Sequence, residues 1–336
     1  MKAAVFHADK RLVIEEVPDP APEPDEIVMQ VSYCAICGSD LHRYAFAMMK
    51  PGTIMGHEFS GVVVATGKNV TAWKVGDRVT RSGGRIDPGR DLPNMPPRYS
   101  AKERGFLPLK PGAYAQYVAT PAEKVMAIPE GVSDLDASLT EPLTVALHAV
   151  RSSKLRLGDS AVVLGAGPIG LFAQQCARRG GATRVYVSET NPARRRVAEL
   201  LGADRVFDPR QADVVKEVVA GTGIGADVAF DCAGARPTLQ QALEMVRMGG
   251  QVVVVALAWE PVDCLPVEWV GREVEMKTCY AHLNSEWPIS MDLLVSGAVQ
   301  TQPLISKVIG LEQLDGMFQT LLDPSNELVQ VVVKCN

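Results

Sequence analysis

No apolar run in the 336 residues approaches the ~20 that a helix needs to cross a bilayer, so no membrane-spanning role is expected. A surplus of positive charge is also lacking. The net charge of -5 argues against nucleic acid or an anionic membrane surface as the main partner. Nor is there a disulfide framework: the seven cysteines (Cys34, Cys37, Cys176, Cys232, Cys264, Cys279 and Cys335) are odd in number and scattered. In a reducing compartment such thiols stay available for metal or chemistry. The N-terminal MKAAVFHADKRLVIEEV alternates like a strand, and charges interrupt it too soon for a signal peptide. A cytoplasmic protein is expected. What is present, 47% hydrophobic and 22% charged residues, is a globular profile long enough for two domains with real cores.

Residues 1–150 read as short strands punctuated by Gly and Pro, with VPDPAPEPDE (17–26) as a connector. EFSGVVVATGKNV and WKVGDRVT read as two strands joined by a turn, which suggests a β-rich, barrel-like domain. The pattern changes near residue 158. AVVLGAGPIGLFAQQCARRGGATRVYVSETNPARRRVAELLGADRVFD is strand, helix, strand, helix, strand, and DVAFDCAG, PTLQQALEMVRMGG and QVVVVAL repeat the order. Alternation of that kind predicts a parallel sheet with crossover helices, placed here at 151–285. The tail carries two helix-like stretches and the strands ISKVIGL and ELVQVVVKC, and 286–336 is assigned back to the first domain. Residues 81–112 form a long loop rich in Gly, Pro and Arg, for which a structural or interface role is expected over substrate contact.

Gly165-Ala166-Gly167-Pro168-Ile169-Gly170 follows a strand-like AVVL and opens a helix-like stretch. A lone GxGxxG is weak evidence, but here a carboxylate, Glu189, ends the next strand about twenty residues on. Gly165 permits the tight turn, Gly167 lets backbone approach a pyrophosphate, and Gly170 allows close helix packing. Pro168 sits where its missing N–H costs little. The helix N-terminus then favours phosphate. Glu189 suits a ribose 2′-hydroxyl and would repel a 2′-phosphate, so NAD is expected over NADP. Arg194, Arg195 and Arg196 fall in the following helix pattern.

The stretch VSYCAICGSDLH (31–42) holds a CxxC that could be a redox dithiol, half a zinc knuckle, or a chance neighbour of one metal-binding thiolate. A knuckle needs a second cysteine pair, and none occurs between Cys37 and Cys176. A dithiol wants a helix start near a βαβ unit, whereas this one lies in the strand-rich region. Downstream stand Gly56-His57-Glu58 and Glu141-Pro142-Leu143. Cys, His and carboxylates far apart in sequence suit a catalytic zinc with one position left open.

CGSDLH (37–42), GHEFSGVV (56–63), GDRV (76–79), EPLTVALHAV (141–150) and GAGPIG (165–170) resemble, in order and over nearly the whole length, the zinc-dependent medium-chain alcohol dehydrogenases. Glu141 in its EPL setting is most similar to the sorbitol (polyol) and butanediol dehydrogenase branch. The resemblance implies an α/β protein: a β-rich GroES-like catalytic domain plus a Rossmann doubly wound parallel-sheet NAD domain. It makes Cys37 and His57 zinc ligands, with Glu58 a third or exchanging ligand and Glu141 binding zinc directly or holding its water. Asp40 would orient His57. Ser39 would take the alcohol's proton and His42 pass it to solvent. Cys34 matches no ligand. Many relatives hold a structural zinc in a lobe corresponding to 81–112, which has no cysteine here, so one zinc per subunit is expected.

The expected function is NAD-dependent oxidation of a secondary alcohol, a polyol or vicinal diol, to a ketone, on a small-molecule substrate. A homo-oligomer, dimer or tetramer, is implied. A threonine-type dehydrogenase is the enzyme alternative, and Arg81, Arg85, Arg90 and Arg98 leave room for an anionic substrate. A silent NAD-binding sensor or a zinc-free quinone reductase would have no use for Cys37, His57, Glu58, Ser39 and His42. Packing or surface roles are expected for His148 and His282, and core roles for Cys176 and Cys232. Phe46, Met48, Met49 and Trp259 could line a pocket or fill core.

Overall fold

The structure, a computed structural model, describes residues 1–81, 112–258 and 260–336. Arg85, Arg90, Arg98 and Trp259 therefore lie outside the described residues, as does nearly all of the 81–112 loop. Chain order begins with strands β1 (Lys2–Phe6), β2 (Leu12–Glu16) and β3 (Glu26–Ala35), then helix α1 (Gly38–Ala45). Strands β4 (Glu58–Thr66), β5 (Arg78–Arg81), β6 (Tyr117–Pro121) and β7 (Val125–Ala127) follow, then α2 (Asp134–Ala137) and α3 (Thr140–Ser152).

The parallel unit runs β8 (Ser160–Leu164), α4 (Pro168–Arg179), β9 (Arg184–Ser188), α5 (Pro192–Leu200), β10 (Arg205–Phe207), α6 (Val214–Thr222) and β11 (Ala226–Asp231). It continues through α7 (Thr238–Met245), β12 (Val246–Val254), α8 (Pro266–Gly271) and β13 (Glu275–Thr278). The tail adds α9 (Trp287–Val295), β14 (Ile305–Gly310), α10 (Leu314–Leu322) and β15 (Gln330–Lys334).

The first body is a seven-stranded sheet, in order β14-β15-β3-β4-β5-β7 with β6 also on β3. β15 pairs antiparallel with β3, which draws the C-terminal strands beside the first long one. The barrel-like interior is filled by Phe6, Met29, Phe59, Val79, Tyr114 and Phe318. The second body is a six-stranded parallel sheet in order β10-β9-β8-β11-β12-β13, the doubly wound arrangement. Its central strands β8, β9 and β11 are buried on both faces along nearly their whole length. In β8, Ala161 and Val163 face one core, while Val162 and Leu164 face the other. Each fully buried valine contributes at most about 1.5–3 kcal/mol.

The first 150 residues are less strand-rich than expected, because α1 and α3 lie among them. The helix α3 is buried along most of its length, so no polar face marks its period. It packs against α4, and its Leu139, Leu143 and Leu147 share one core with Ala35 and Val332 of the first sheet. That shared core joins the two bodies.

Candidate active site

Cys37 is the N-cap of α1. Its Sγ accepts hydrogen bonds from the Ser39 N–H at 3.4 Å and the Ser39 hydroxyl at 3.2 Å. The CxxC thus does stand at a helix start, contrary to the strand reading of that stretch. Its two thiols nevertheless part company: Cys34 is wholly buried in the barrel interior, with its Sγ–H 3.8 Å from the Ala35 carbonyl. One turn into α1, Asp40 is fully buried. Ser39 and His42, three residues apart, share a face of the helix. His42 Nδ1 bonds the Gly38 carbonyl at 2.7 Å, which puts the ring proton on Nδ1 and makes Nε2 the basic nitrogen.

His57 arrives from another element. It follows Gly56, whose φ of +96° favours glycine and where a Cβ would sit 2.9 Å from Cys34 Sγ and 3.0 Å from the Tyr114 ring. A side chain there would collide with Cys34 in β3 and with the Tyr114 ring. Glu58 opens β4. The outcome is that Cys37 Sγ, a His57 ring nitrogen and a Glu58 carboxylate oxygen all lie within 4.8 Å of one another. Among the described residues this is the one group of three or more such side chains close enough to hold a metal ion.

Burial and the nearby Glu58 push the Cys37 thiol up to about 11. Burial and the charge of Glu141 raise the Glu58 carboxyl to about 8. Burial alone would raise Asp40, but His57, Arg43 and Tyr114 outweigh it and hold that carboxyl below its ordinary value. His57 is raised well above the ordinary imidazole: Asp40 and Cys37 overcome the opposing effect of burial. Glu58 Oε2 is buried with no hydrogen-bond partner among the described residues. A thiol, an imidazole and a carboxylate converging beside an unpaired buried oxygen is a donor set that fits zinc and leaves a coordination position open.

Glu141, in the first turn of α3, stands beside this group rather than within it. Its Oε1 lies 3.8 Å from His282 Nε2. Arg81, at the end of β5, is mostly buried and feels the charge of Glu141. Its Nε has no hydrogen-bond partner among the described residues.

The dinucleotide fingerprint forms the turn between β8 and α4. Gly165 has φ +89°, and a Cβ there would press on Ala233 at 2.9 Å, in the turn after β11. The turn therefore sits where β8 and β11 part the sheet order, the place where doubly wound sheets bind ligands. A Cβ on Gly170 would lie 1.8 Å from the Gly165 carbonyl oxygen, so helix and turn touch. At Gly167, the N-cap of α4, a Cβ would meet nothing within 4 Å. That open space at a helix N-terminus fits a phosphate. Pro168 and Ile169 begin α4, and Ile169 packs on the core beneath. Glu189 follows β9 and is buried; its Oε2 accepts the Ala166 N–H and its Oε1 the Asn191 N–H, both at 2.7 Å. Carboxylate and glycine turn are thus one connected unit.

The sequence reading did not single out Tyr114, which donates to Asp40 Oδ2 at 2.9 Å, or Arg43, 3.7 Å from Asp40 Oδ1. No spacing rule links residue 114 to residue 40. His282 is buried against Trp287, with ring centroids 5.2 Å apart, and faces Glu141. His148 is buried and pairs with Glu286 at 2.9 Å. Cys176 is core and Cys232 packs on that core from a half-buried position. Met49 belongs to the barrel interior, Met48 is half-buried and Phe46 is exposed beside His42.

Residues 23–130 match the alcohol dehydrogenase GroES-like domain family, and residues 168–296 the zinc-binding dehydrogenase family. The chain belongs to the zinc-dependent medium-chain alcohol dehydrogenases and is an oxidoreductase of that class. Within the class it falls in the branch of sorbitol and butanediol dehydrogenases. It is 35% identical to (R,R)-butanediol dehydrogenase of Bacillus subtilis (strain 168), over 100% of both chains. It is 34% identical to the sorbitol dehydrogenase of the same organism, over 100% of this chain and 98% of that one. The crystal structure of 2R,3R-butanediol dehydrogenase from Bacillus subtilis superposes with a TM-score of 0.87 at 34% identity, covering 100% of this chain and 99% of that one.

Proposed function

We propose that this chain oxidises a secondary alcohol of a polyol or vicinal diol to a ketone, with one zinc ion and NAD. The observation that carries the reading is the convergence of Cys37, His57 and Glu58, with the Ser39 hydroxyl 3.2 Å from the Cys37 sulfur. Those three side chains would hold the zinc, with Glu141 next to Glu58. Zinc supplies Lewis acidity, which eases deprotonation of an alcohol near neutral pH. Ser39 takes the hydroxyl proton, and the exposed His42, on the same face of α1, passes it to solvent. Asp40, itself held by Tyr114, fixes the His57 ring. The Gly165–Gly170 turn and Glu189 would hold a nicotinamide dinucleotide, which would supply the hydride acceptor.

The polyol or diol class is supported by the butanediol and sorbitol dehydrogenases among the relatives. NAD over NADP is supported by Glu189, and a single zinc by the lack of cysteine in 81–112. We assign 1–150 with 286–336 to the catalytic domain and 151–285 to the dinucleotide domain. No disulfide links cysteines among the described residues, which supports a cytoplasmic protein. No helix among the described residues is long and apolar enough to cross a membrane. A homo-oligomer is supported by β13, an edge strand of the parallel sheet with Met276 55%, Val267 68% and Val270 78% exposed on it or on the preceding α8. An apolar edge of that kind suits pairing with a second copy.

The test is NADH formation on sugar alcohols, vicinal diols, simple secondary alcohols and threonine, each with and without a zinc chelator. A chelator-sensitive signal confined to polyols or diols supports the reading. Oxidation of threonine alone, or activity indifferent to prolonged chelation, overturns it.

A further inference from the structure

Beside Glu189 lies a second charged group that the dinucleotide fingerprint does not include. The ends of β9 and β10 are joined there by the Glu189 N–H donating to the Phe207 carbonyl at 3.0 Å. Asp208, the next residue, is buried. Its Oδ1 accepts from Arg210 Nε at 2.9 Å and the Arg210 N–H at 3.1 Å; its Oδ2 accepts from Arg210 Nη2 at 2.7 Å and lies 3.0 Å from Arg195 Nη1. The same two guanidinium groups reach the backbone around the ribose-binding carboxylate. Arg195 Nη1 donates to the Glu189 carbonyl at 3.0 Å and the Thr190 carbonyl at 2.6 Å, and Arg210 Nη2 also donates to the Thr190 carbonyl. Glu189's charge reaches Arg210 as well.

Two arginines therefore stand within one residue of Glu189, with two carboxylates to balance them. Arginine forks beside a ribose are what a 2′-phosphate would need, since they bind phosphate in a bidentate manner. Here one face of both forks is spent on Asp208. We propose that Asp208 is a specificity-determining residue: by pairing with Arg195 and Arg210 it withholds a latent 2′-phosphate site and reinforces the choice of NAD over NADP that Glu189 begins. This rests on the dinucleotide reading of the Gly165–Gly170 turn. Arg194 takes no part, because its Nε donates to the Leu328 carbonyl at 3.2 Å. Strong pairing is consistent with the Asp208 carboxyl being held down at about 2, chiefly by its hydrogen bonds to Arg210.

The test is equilibrium binding of NADH and NADPH to the whole protein, read by nicotinamide fluorescence, with adenosine 2′,5′-bisphosphate and 5′-AMP as probes lacking nicotinamide. Asp208→Asn keeps the shape and removes the charge. It should tighten NADPH and the bisphosphate by about tenfold, as expected for one unbalanced charge at short range, and leave NADH and 5′-AMP within about twofold. The gain should shrink as salt is raised. Arg210→Gln, at a largely exposed side chain, gives an arm that does not depend on the Asp208 variant folding. In a Glu189→Gln background it should weaken NADPH about fivefold or more and spare NADH.

Equal changes for the two dinucleotides in both arms would make Asp208 a structural clamp only and overturn the proposal. Wild-type protein that binds neither dinucleotide would overturn the dinucleotide reading and this inference together. Wild-type protein that binds NADH, with an unmoved NADH-to-NADPH ratio in the variants, would overturn this inference alone.

Discussion

His57 Nδ1 lies 3.4 Å from Oδ1 of Asp40, a carboxylate wholly buried behind the site. The Tyr114 hydroxyl grips the other oxygen from a strand-side position 74 residues away. A buried carboxylate in contact with a ligating imidazole sets its tautomer and orientation. Asp40→Asn should therefore lower zinc affinity by about 10–100-fold, measured by competition with a chelator. Tyr114→Phe should retain zinc more nearly but lose about 1.5–3 kcal/mol of stability, because it strips a donor from a buried charge. Equal zinc affinity in wild type and Asp40→Asn would remove Asp40 from the site.

Cys34→Ser separates the two thiols of the CxxC. Cys34 lies in the barrel interior, so the hydroxyl should cost about 1–3 kcal/mol in thermal or denaturant unfolding. Zinc content should not change. A variant that folds yet loses its metal would restore the paired-cysteine reading.

Gly167→Ala and Gly170→Ala make a contrasting pair. The Gly167 backbone is extended at φ −68°, ψ 179°, and the added methyl meets only open space. Stability should fall by about 1 kcal/mol or less while dinucleotide affinity drops, since the methyl occupies the phosphate cradle. At Gly170 the methyl collides with the Gly165 carbonyl, so unfolding should be easier by about 1–3 kcal/mol or more. Calorimetry alongside NADH titration separates the two effects. Unchanged NADH affinity in Gly167→Ala would contradict the cradle.

Acid unfolding should report the Asp208 pairing. The folded carboxyl titrates near 2, below its ordinary value, because Arg210 donates hydrogen bonds to it and Arg195 adds its charge. Its stabilisation is fully present above about pH 4, where the unfolded carboxyl is also charged, and is lost as pH falls through about 2. Wild type should be more stable than Asp208→Asn at neutral pH, with the gap closing between about pH 4 and 2. A gap constant across that range would mean that charge plays no part.

Legibility in the sequence followed the range of the physics. The strand–turn–helix around Gly165 could be read because its periods and glycines are contiguous, and the alternation of short apolar runs with helical stretches exposed the parallel sheet. The helix α1 escaped notice because it is eight residues long and capped by a thiol rather than a hydroxyl or carboxylate. The helix α3 escaped because burial on most sides erases its polar face. Contacts such as Tyr114 with Asp40, His282 with Glu141 and Asp208 with Arg195 depend on tertiary packing, and no local pattern encodes them.

The proposed function depends on Cys37, His57 and Glu58 forming one zinc site. The most direct measurement is zinc per chain by elemental analysis, on wild type, Cys37→Ser and Cys34→Ser, each shown to be folded by circular dichroism. The prediction is one zinc per chain in wild type and Cys34→Ser, and none in Cys37→Ser. A folded Cys37→Ser variant that keeps its full zinc content would contradict the assignment.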